Sequence, residues 1–220
     1  MSKLRVLDLF CGAGGASTGL YRAGFDVVGI DIKKQPRYPF TFIQADATNP
    51  PVDLADFDFV WASPPCQAHT SMKTMRDAKE HADLIPATRA LLTGYRGPWC
   101  IENVPGAPLR YSVMLCGTMF GLGVDDADLQ RHRLFETSFP MLAPQCQHAG
   151  RRVMGIYGEG VRDSRRKHDK TIPEFSVVEG RVAMGIDWMS LAELCQAIPP
   201  AYSEYIARAA LAFVSDRIAA

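Results

Sequence analysis

Residues 59–67, "FVWASPPCQ", end an apolar run with two prolines and a cysteine, Cys66. Once deprotonated, a thiol is the most nucleophilic side chain a protein carries at neutral pH. Prolines cannot continue a central strand and they stiffen the backbone, so the pattern sets Cys66 on a rigid corner where a strand leaves its sheet. A lone buried cysteine is more often a small inert hydrophobe, and position is what separates Cys66 from that role. Glu102 and Asn103 close a second apolar run, "WCIENVPG". A carboxylate there is partly desolvated, which raises its pKa and suits it to donate a proton. In "QRHRLFE", Arg131 and Arg133 stand two apart, so an extended segment turns both guanidinium groups to one face, where they could hold a carboxylate or a phosphate.

A second set of residues reads as a cofactor cradle. The run "LRVLDLF" stops at "CGAGGAS", with Gly12, Gly14 and Gly15, and "TGLYRAGF" follows with helical spacing. A strand, a tight glycine turn and a helix present backbone amides to a ligand. The next runs, "DVVGIDI" and "FTFIQADA", end near Asp31 and Asp46, and a carboxylate at such a place accepts hydrogen bonds from ribose hydroxyls. The set suits a nucleoside-type cofactor. The spacing is not that of a dinucleotide site, because Ser17 stands where those sites have Gly or Ala, and this disfavours a nicotinamide oxidoreductase.

These residues need a scaffold that brings several strand ends to one edge. Short apolar strands alternating with helical stretches, among them a helix from about Ala78 to Tyr95, predict an α/β fold with a doubly wound, mainly parallel sheet and ligands outside the carboxyl ends of its strands. From about Gln145 the chain turns polar and basic, with seven Lys or Arg against three Asp or Glu between Arg151 and Lys170. The chain closes with helical spacing on both sides of Pro199 and Pro200. We expect a catalytic domain from 1–140 and 182–220, and a short basic recognition segment over 141–181.

The bulk properties exclude much else. The chain has 220 residues, 47% of them hydrophobic, with 24 basic and 24 acidic side chains, so attraction to nucleic acid must come from local clustering. The six cysteines lack the spacing of a disulfide framework, and no run approaches the roughly 18 apolar residues of a membrane helix. A monomer in a reducing cytosol is expected. Cys146 and His148 in "QCQHAG", with Cys116 or His168 as distant candidates, lack the pair spacing of a structural zinc site, so no metal is expected.

The ordered set "DLFCGAGGASTGLYRAGF", "GIDI", "ADAT", "SPPCQ", "ENVPG" and "RHRLF" resembles the S-adenosylmethionine-dependent DNA cytosine-5 methyltransferase family, over residues 4–136. The resemblance implies a Rossmann-like class I methyltransferase that uses S-adenosyl-L-methionine and acts on DNA, in a short form like the phage-type orphan enzymes, with a reduced target-recognition region. It places Phe10, Gly12 and Gly14 on the methionine side of the cofactor, Asp31 on the ribose, Asp46 near the adenine amine and Pro65 against the cofactor. Cys66 falls on the nucleophile, Glu102 on the acid that contacts the base, and Arg131 and Arg133 on the catalytic arginine pair. Leu129 stands where the family has glutamine, and "CQAIPPAY" where it has a Gly-Asn pair. The basic residues Arg151, Arg152, Arg162, Arg165, Arg166, Lys167 and Lys170 are the expected phosphate contacts. Two readings compete: an RNA-directed enzyme of the same architecture, and an amino-methyltransferase on cytosine N4 or adenine N6. The latter normally has an aromatic residue behind its prolines and needs no thiol.

Overall fold

Val6 and Leu7 are both fully buried, yet they belong to different cores, and that alternation defines the architecture. They lie in β1 (Arg5–Leu9), at the centre of a sheet covered on both faces, where successive side chains point opposite ways. The computed structural model describes residues 3–69, 81–158 and 160–219. After β1 come α1 (Gly15–Arg22), β2 (Asp26–Asp31), β3 (Thr41–Gln44), β4 (Phe59–Ala62), α2 (Ile85–Thr93), β5 (Trp99–Asn103), β6 (Val113–Leu115), β7 (Gly123–Val124), β8 (Ala127–Leu129) and β9 (Arg133–Thr137). β10 (Arg152–Tyr157), β11 (Gly160–Asp163), α3 (Val177–Met184), α4 (Leu191–Gln196) and α5 (Pro200–Ala219) complete the chain.

Seven strands form the main sheet in the order β3-β2-β1-β4-β5-β9-β6. Neighbours from β3 to β5 are parallel, and β9 runs antiparallel between β5 and β6. On one face Val6, Phe59, Trp61 and Phe135 pack with Leu20 of α1 and Tyr202 and Ile206 of α5. On the other, Leu7, Val60 and Ile101 pack with Leu92 of α2. α1 and α5 approach so closely that a Cβ on Gly19 would sit 2.1 Å from Ser203 Oγ. Ser203 Oγ donates to the Ala16 carbonyl at 2.8 Å across that contact.

The helix expected from Ala78 begins later. Residues 78–80 lie outside the described residues, and α2 starts at Ile85 with Pro86 in its first turn. A helix from 78 would have put Pro86 in its interior, where the ring removes an amide donor and clashes with the preceding turn; in the first turn neither matters.

A second, four-stranded sheet, β11-β10-β8-β7, has its own core of Leu129, Met154, Ile156, Val161, Phe175, Met184 and Leu194. It draws β7 and β8 from before residue 141, and α3 runs across the expected boundary at 181. The cause is the parallel pairing of β10 with β8, Arg152 opposite Ala127. Among the described residues no helix is long and apolar enough to cross a membrane.

Candidate active site

The parallel strands β1, β2, β4 and β5 end at one edge of the main sheet, and antiparallel β9 starts there, with Leu134 opposite Asn103. This edge gathers the predicted residues. Phe10 follows β1 with φ 61°, a conformation that costs a non-glycine residue energy and that the surrounding loop must enforce. Gly14, with φ 88°, caps the start of α1, and a Cβ there would lie 2.9 Å from Pro39. Asp31, at the end of β2, accepts from the Gly12 amide at 3.0 Å and from the Lys33 amide at 2.9 Å. One carboxylate thereby shapes the glycine loop, and its remaining lone pairs stay available. Asp46 is exposed and accepts from the Thr48 amide and hydroxyl at 2.8 and 2.7 Å, bonds that lower its pKa.

Asp8 was not legible as a site residue, because it sits inside an apolar strand. It is fully buried, and burial pushes its pKa up to about 7 against the opposing pull of the Ser17 hydroxyl. Ser17 Oγ donates to Asp8 Oδ2 and is 2.9 Å from the Tyr38 hydroxyl, which accounts for serine where dinucleotide sites have a small apolar residue. Asp8 Oδ1 is buried without a hydrogen-bond partner among the described residues, and a Cβ on Gly12 would meet open space. A spare buried acceptor of this kind suits the ammonium end of a methionine moiety. Trp188 Nε1 donates to the Ala13 carbonyl at 2.9 Å, so the C-terminal part of the chain braces the same loop.

The strand-exit corner is tied down from the side. Pro64 is buried, Pro65 exposed and Cys66 half-buried. Asn103, buried at the end of β5, donates Nδ2 to the Pro64 carbonyl at 2.9 Å and accepts the Val104 amide at 2.9 Å. Burial pushes the Cys66 thiol up, the Glu102 charge adds to this, and the Arg133 charge opposes it. Glu102 is itself buried, which raises its pKa against the pull of Arg133 and a hydrogen bond from Ser63. Arg133 Nε lies 3.2 Å from Glu102 Oε1. A thiol, a partly neutralised acid and a guanidinium therefore influence one another at this edge.

Arg131 differs from expectation. It precedes β9, and its guanidinium donates to the carbonyls of Ile156 at 2.5 Å and Cys195 at 2.8 Å instead of sharing a ligand with Arg133. Arg131 supplies the donor for the buried Ile156 carbonyl and for the half-buried Cys195 carbonyl, joining the second sheet and α4 to the active edge. The basic segment also departs from a free cationic strip. Arg151 pairs with Asp128, Arg152 with Asp126 and Asp163, Arg165 with Asp163, and Arg162 and Arg166 with Glu174. Asp163 is buried and held well below the usual carboxylate range, chiefly by Arg165. Lys167 and Lys170 are exposed.

The strand order, the lone antiparallel strand and the glycine loop at the carboxyl edge give the Rossmann-like fold of the class I methyltransferases, a doubly wound sheet with its site at the carboxyl ends of the strands. Residues 4–108 match the family described as C-5 cytosine-specific DNA methylase, a family that uses S-adenosylmethionine, and the matched stretch holds the glycine loop, Cys66 and Glu102. The fold is similar to the crystal structure of the Dnmt2 methyltransferase of S. pombe (TM-score 0.59, 12% identity, 99% of each chain covered). It is also similar to the methyltransferase EhMeth of Entamoeba histolytica (TM-score 0.52, 11% identity, 99% of each chain covered). A comparison with curated protein sequences finds no match.

Proposed function

We propose that this chain methylates C5 of cytosine in DNA through a covalent adduct between Cys66 and C6 of a base turned out of the helix. The observation that carries this reading is the grouping of Cys66, Glu102 and Arg133 at the edge where the glycine loop ends β1. C5 of cytosine is too weakly nucleophilic to take a methyl group unaided. Attack of the Cys66 thiolate on C6 moves electron density to C5, and Glu102, whose burial favours the protonated form, donates to N3 as charge builds. Arg133 holds Glu102 in place and offsets negative charge on the base. S-adenosylmethionine supplies the methyl group as an electrophilic sulfonium. A base then removes the C5 proton, the C6–S bond breaks and the Cys66 thiolate is restored. A stacked duplex hides C6 from any side chain, hence the turned-out base.

Asp31 and Asp8 hold the cofactor in this scheme, with Phe10, Gly12, Gly14 and Pro65 around it and Asp46 near its adenine. The small second sheet can line only a little of the major groove, so the target is short or degenerate, about two to four base pairs. The test is to incubate the protein and S-adenosylmethionine with duplex DNA, single-stranded DNA and RNA, each carrying 5-fluorocytosine. That substituent cannot leave as a proton does, so the adduct should survive denaturing electrophoresis. We expect the adduct on DNA from the wild type and none from Cys66→Ala. An adduct on RNA alone would move the substrate class, and an adduct formed by Cys66→Ala would remove the nucleophile. Glu102→Gln should lower single-turnover methylation by about 10²- to 10⁴-fold with cofactor binding retained.

A further inference from the structure

Four side chains outside the chemistry described above converge behind Arg133. Cys116 follows β6, His132 lies between Arg131 and Arg133, and Cys146 and His148 stand in the segment joining β9 to β10. Their ligand atoms all lie within 4.8 Å of one another. Cys116 Sγ is 3.5 Å from His148 Nε2, and Cys146 Sγ is 3.5 Å from His132 Nε2. With zinc–sulfur bonds of about 2.3 Å and zinc–nitrogen bonds of about 2.0–2.1 Å, a tetrahedral site has sulfur–nitrogen edges of about 3.5 Å. The third contact, Cys146 Sγ to His148 Nε2, is 2.8 Å, a thiol–imidazole hydrogen bond that a metal would replace.

We propose that Cys116, His132, Cys146 and His148 bind one zinc ion in a closed tetrahedral site. Two thiolates balance the charge of a divalent ion, and a set of two sulfurs and two imidazoles with no carboxylate selects zinc over harder cations. The surroundings support the ligands as metal sites require. Thr118 Oγ1 donates to Cys116 Sγ at 3.3 Å and lies 3.8 Å from Cys146 Sγ, and the His132 ring is hydrogen-bonded to the Gln130 backbone. Cys116 is fully buried while His148 is exposed, so the ligand set closes from core to surface.

This replaces the expectation of no metal. The sequence pointed to Cys146, His148 and Cys116 but not to His132, and His168 takes no part in the cluster. The ligands come from three separate segments, so no pair spacing announces them; only β9 folding back beside β6 does. A staple here pins the segment after β9 to His132, whose neighbours are the two arginines that serve the active edge. The proposal does not depend on which nucleic acid is the substrate.

The test is elemental analysis of the purified full-length chain, with cobalt substitution as a second readout. The wild type should carry about one zinc per chain, and His148→Ala and Cys146→Ser should each carry less than about a tenth of that. His148 is exposed, so its variant should keep the fold by circular dichroism. Cobalt should give the intense visible bands of a tetrahedral thiolate site in the wild type and lose them in both variants. A wild-type chain that carries no stoichiometric metal and takes up no cobalt overturns the proposal. So does full metal content in both variants, or a Cys116–Cys146 disulfide in freshly purified protein.

Discussion

Asn103 donates its side-chain amide to the Pro64 carbonyl at 2.9 Å, and this bond ties the strand bearing Glu102 to the corner bearing Cys66. The acid is one residue before the donor, and the thiol is two residues after the acceptor. Asn103→Ala would leave that carbonyl unpaired in a buried place, at a cost of about 1–3 kcal/mol. We expect a lower melting temperature and a fall in kcat, with the affinity for S-adenosylmethionine unchanged. Thermal denaturation beside single-turnover methylation checks this. Unchanged kcat in a destabilised variant would reduce Asn103 to a structural role.

Asp8 gives a pH-dependent prediction. Its folded pKa, about 7, stands above the ordinary 3.8, so the folded state binds this proton more tightly than the unfolded one. Stability from that difference is complete below pH 3.8 and is lost as pH rises through 7. The shift corresponds to about 4 kcal/mol at most. Asp8→Asn cannot ionise, so it should match the wild type near pH 4 and be the more stable protein at pH 8. Cofactor affinity should fall in the same variant at pH 8, measured by calorimetry. A variant that is less stable than wild type at pH 8 would show that Asp8 is not a buried charge.

The strand-end residues were legible because their neighbours in sequence are also their neighbours in space. Prolines before Cys66, and Val104 and Pro105 after Glu102 and Asn103, mark strand exits, and strand exits in a doubly wound sheet share an edge. Asp8 offered no such mark, since an acid flanked by leucines reads as an irregularity in a strand until its burial is known. The arginines misled for a related reason. A count of charges over 151–170 cannot show that Asp126, Asp128 and Glu174, all outside that window, come back to meet them. Arg131 lies before the strand that begins at Arg133, so the two-residue spacing that would turn both arginines to one face of an extended segment does not apply to it.

Alkylation of Cys66 reports on the site without substrate. Burial and the Glu102 charge hold this thiol above the ordinary 9.0, so iodoacetamide should react slowly with it near neutral pH and faster only above about pH 9. Glu102→Gln removes a charge that raises the thiol, and should speed alkylation at pH 8. Arg133→Ala removes one that lowers it, and should slow the reaction. Mass spectrometry of the Cys66 peptide over a pH series separates these outcomes from the other cysteines. The same profile in all three proteins would mean that Glu102 and Arg133 do not act on the thiol.

The basic segment separates into two populations with different expected phenotypes. Arg152 and Arg165 flank buried Asp163, so Arg152→Ala should lower stability by leaving that carboxylate short of a partner, whatever its effect on binding. Lys167 and Lys170 are exposed, and Lys167→Ala with Lys170→Ala should leave the melting temperature unchanged. If these lysines meet phosphates in our proposed DNA complex, the double variant should weaken binding alike on all sequences. It should also flatten the slope of log affinity against log salt by up to about 0.9 for each lost contact. Affinity for S-adenosylmethionine should not change, since the glycine loop and Asp31 lie on the other sheet. Fluorescence anisotropy with duplex DNA across a salt series gives the slope directly. An unchanged slope would place the nucleic acid on another face and leave the arginines of this segment with a purely architectural role.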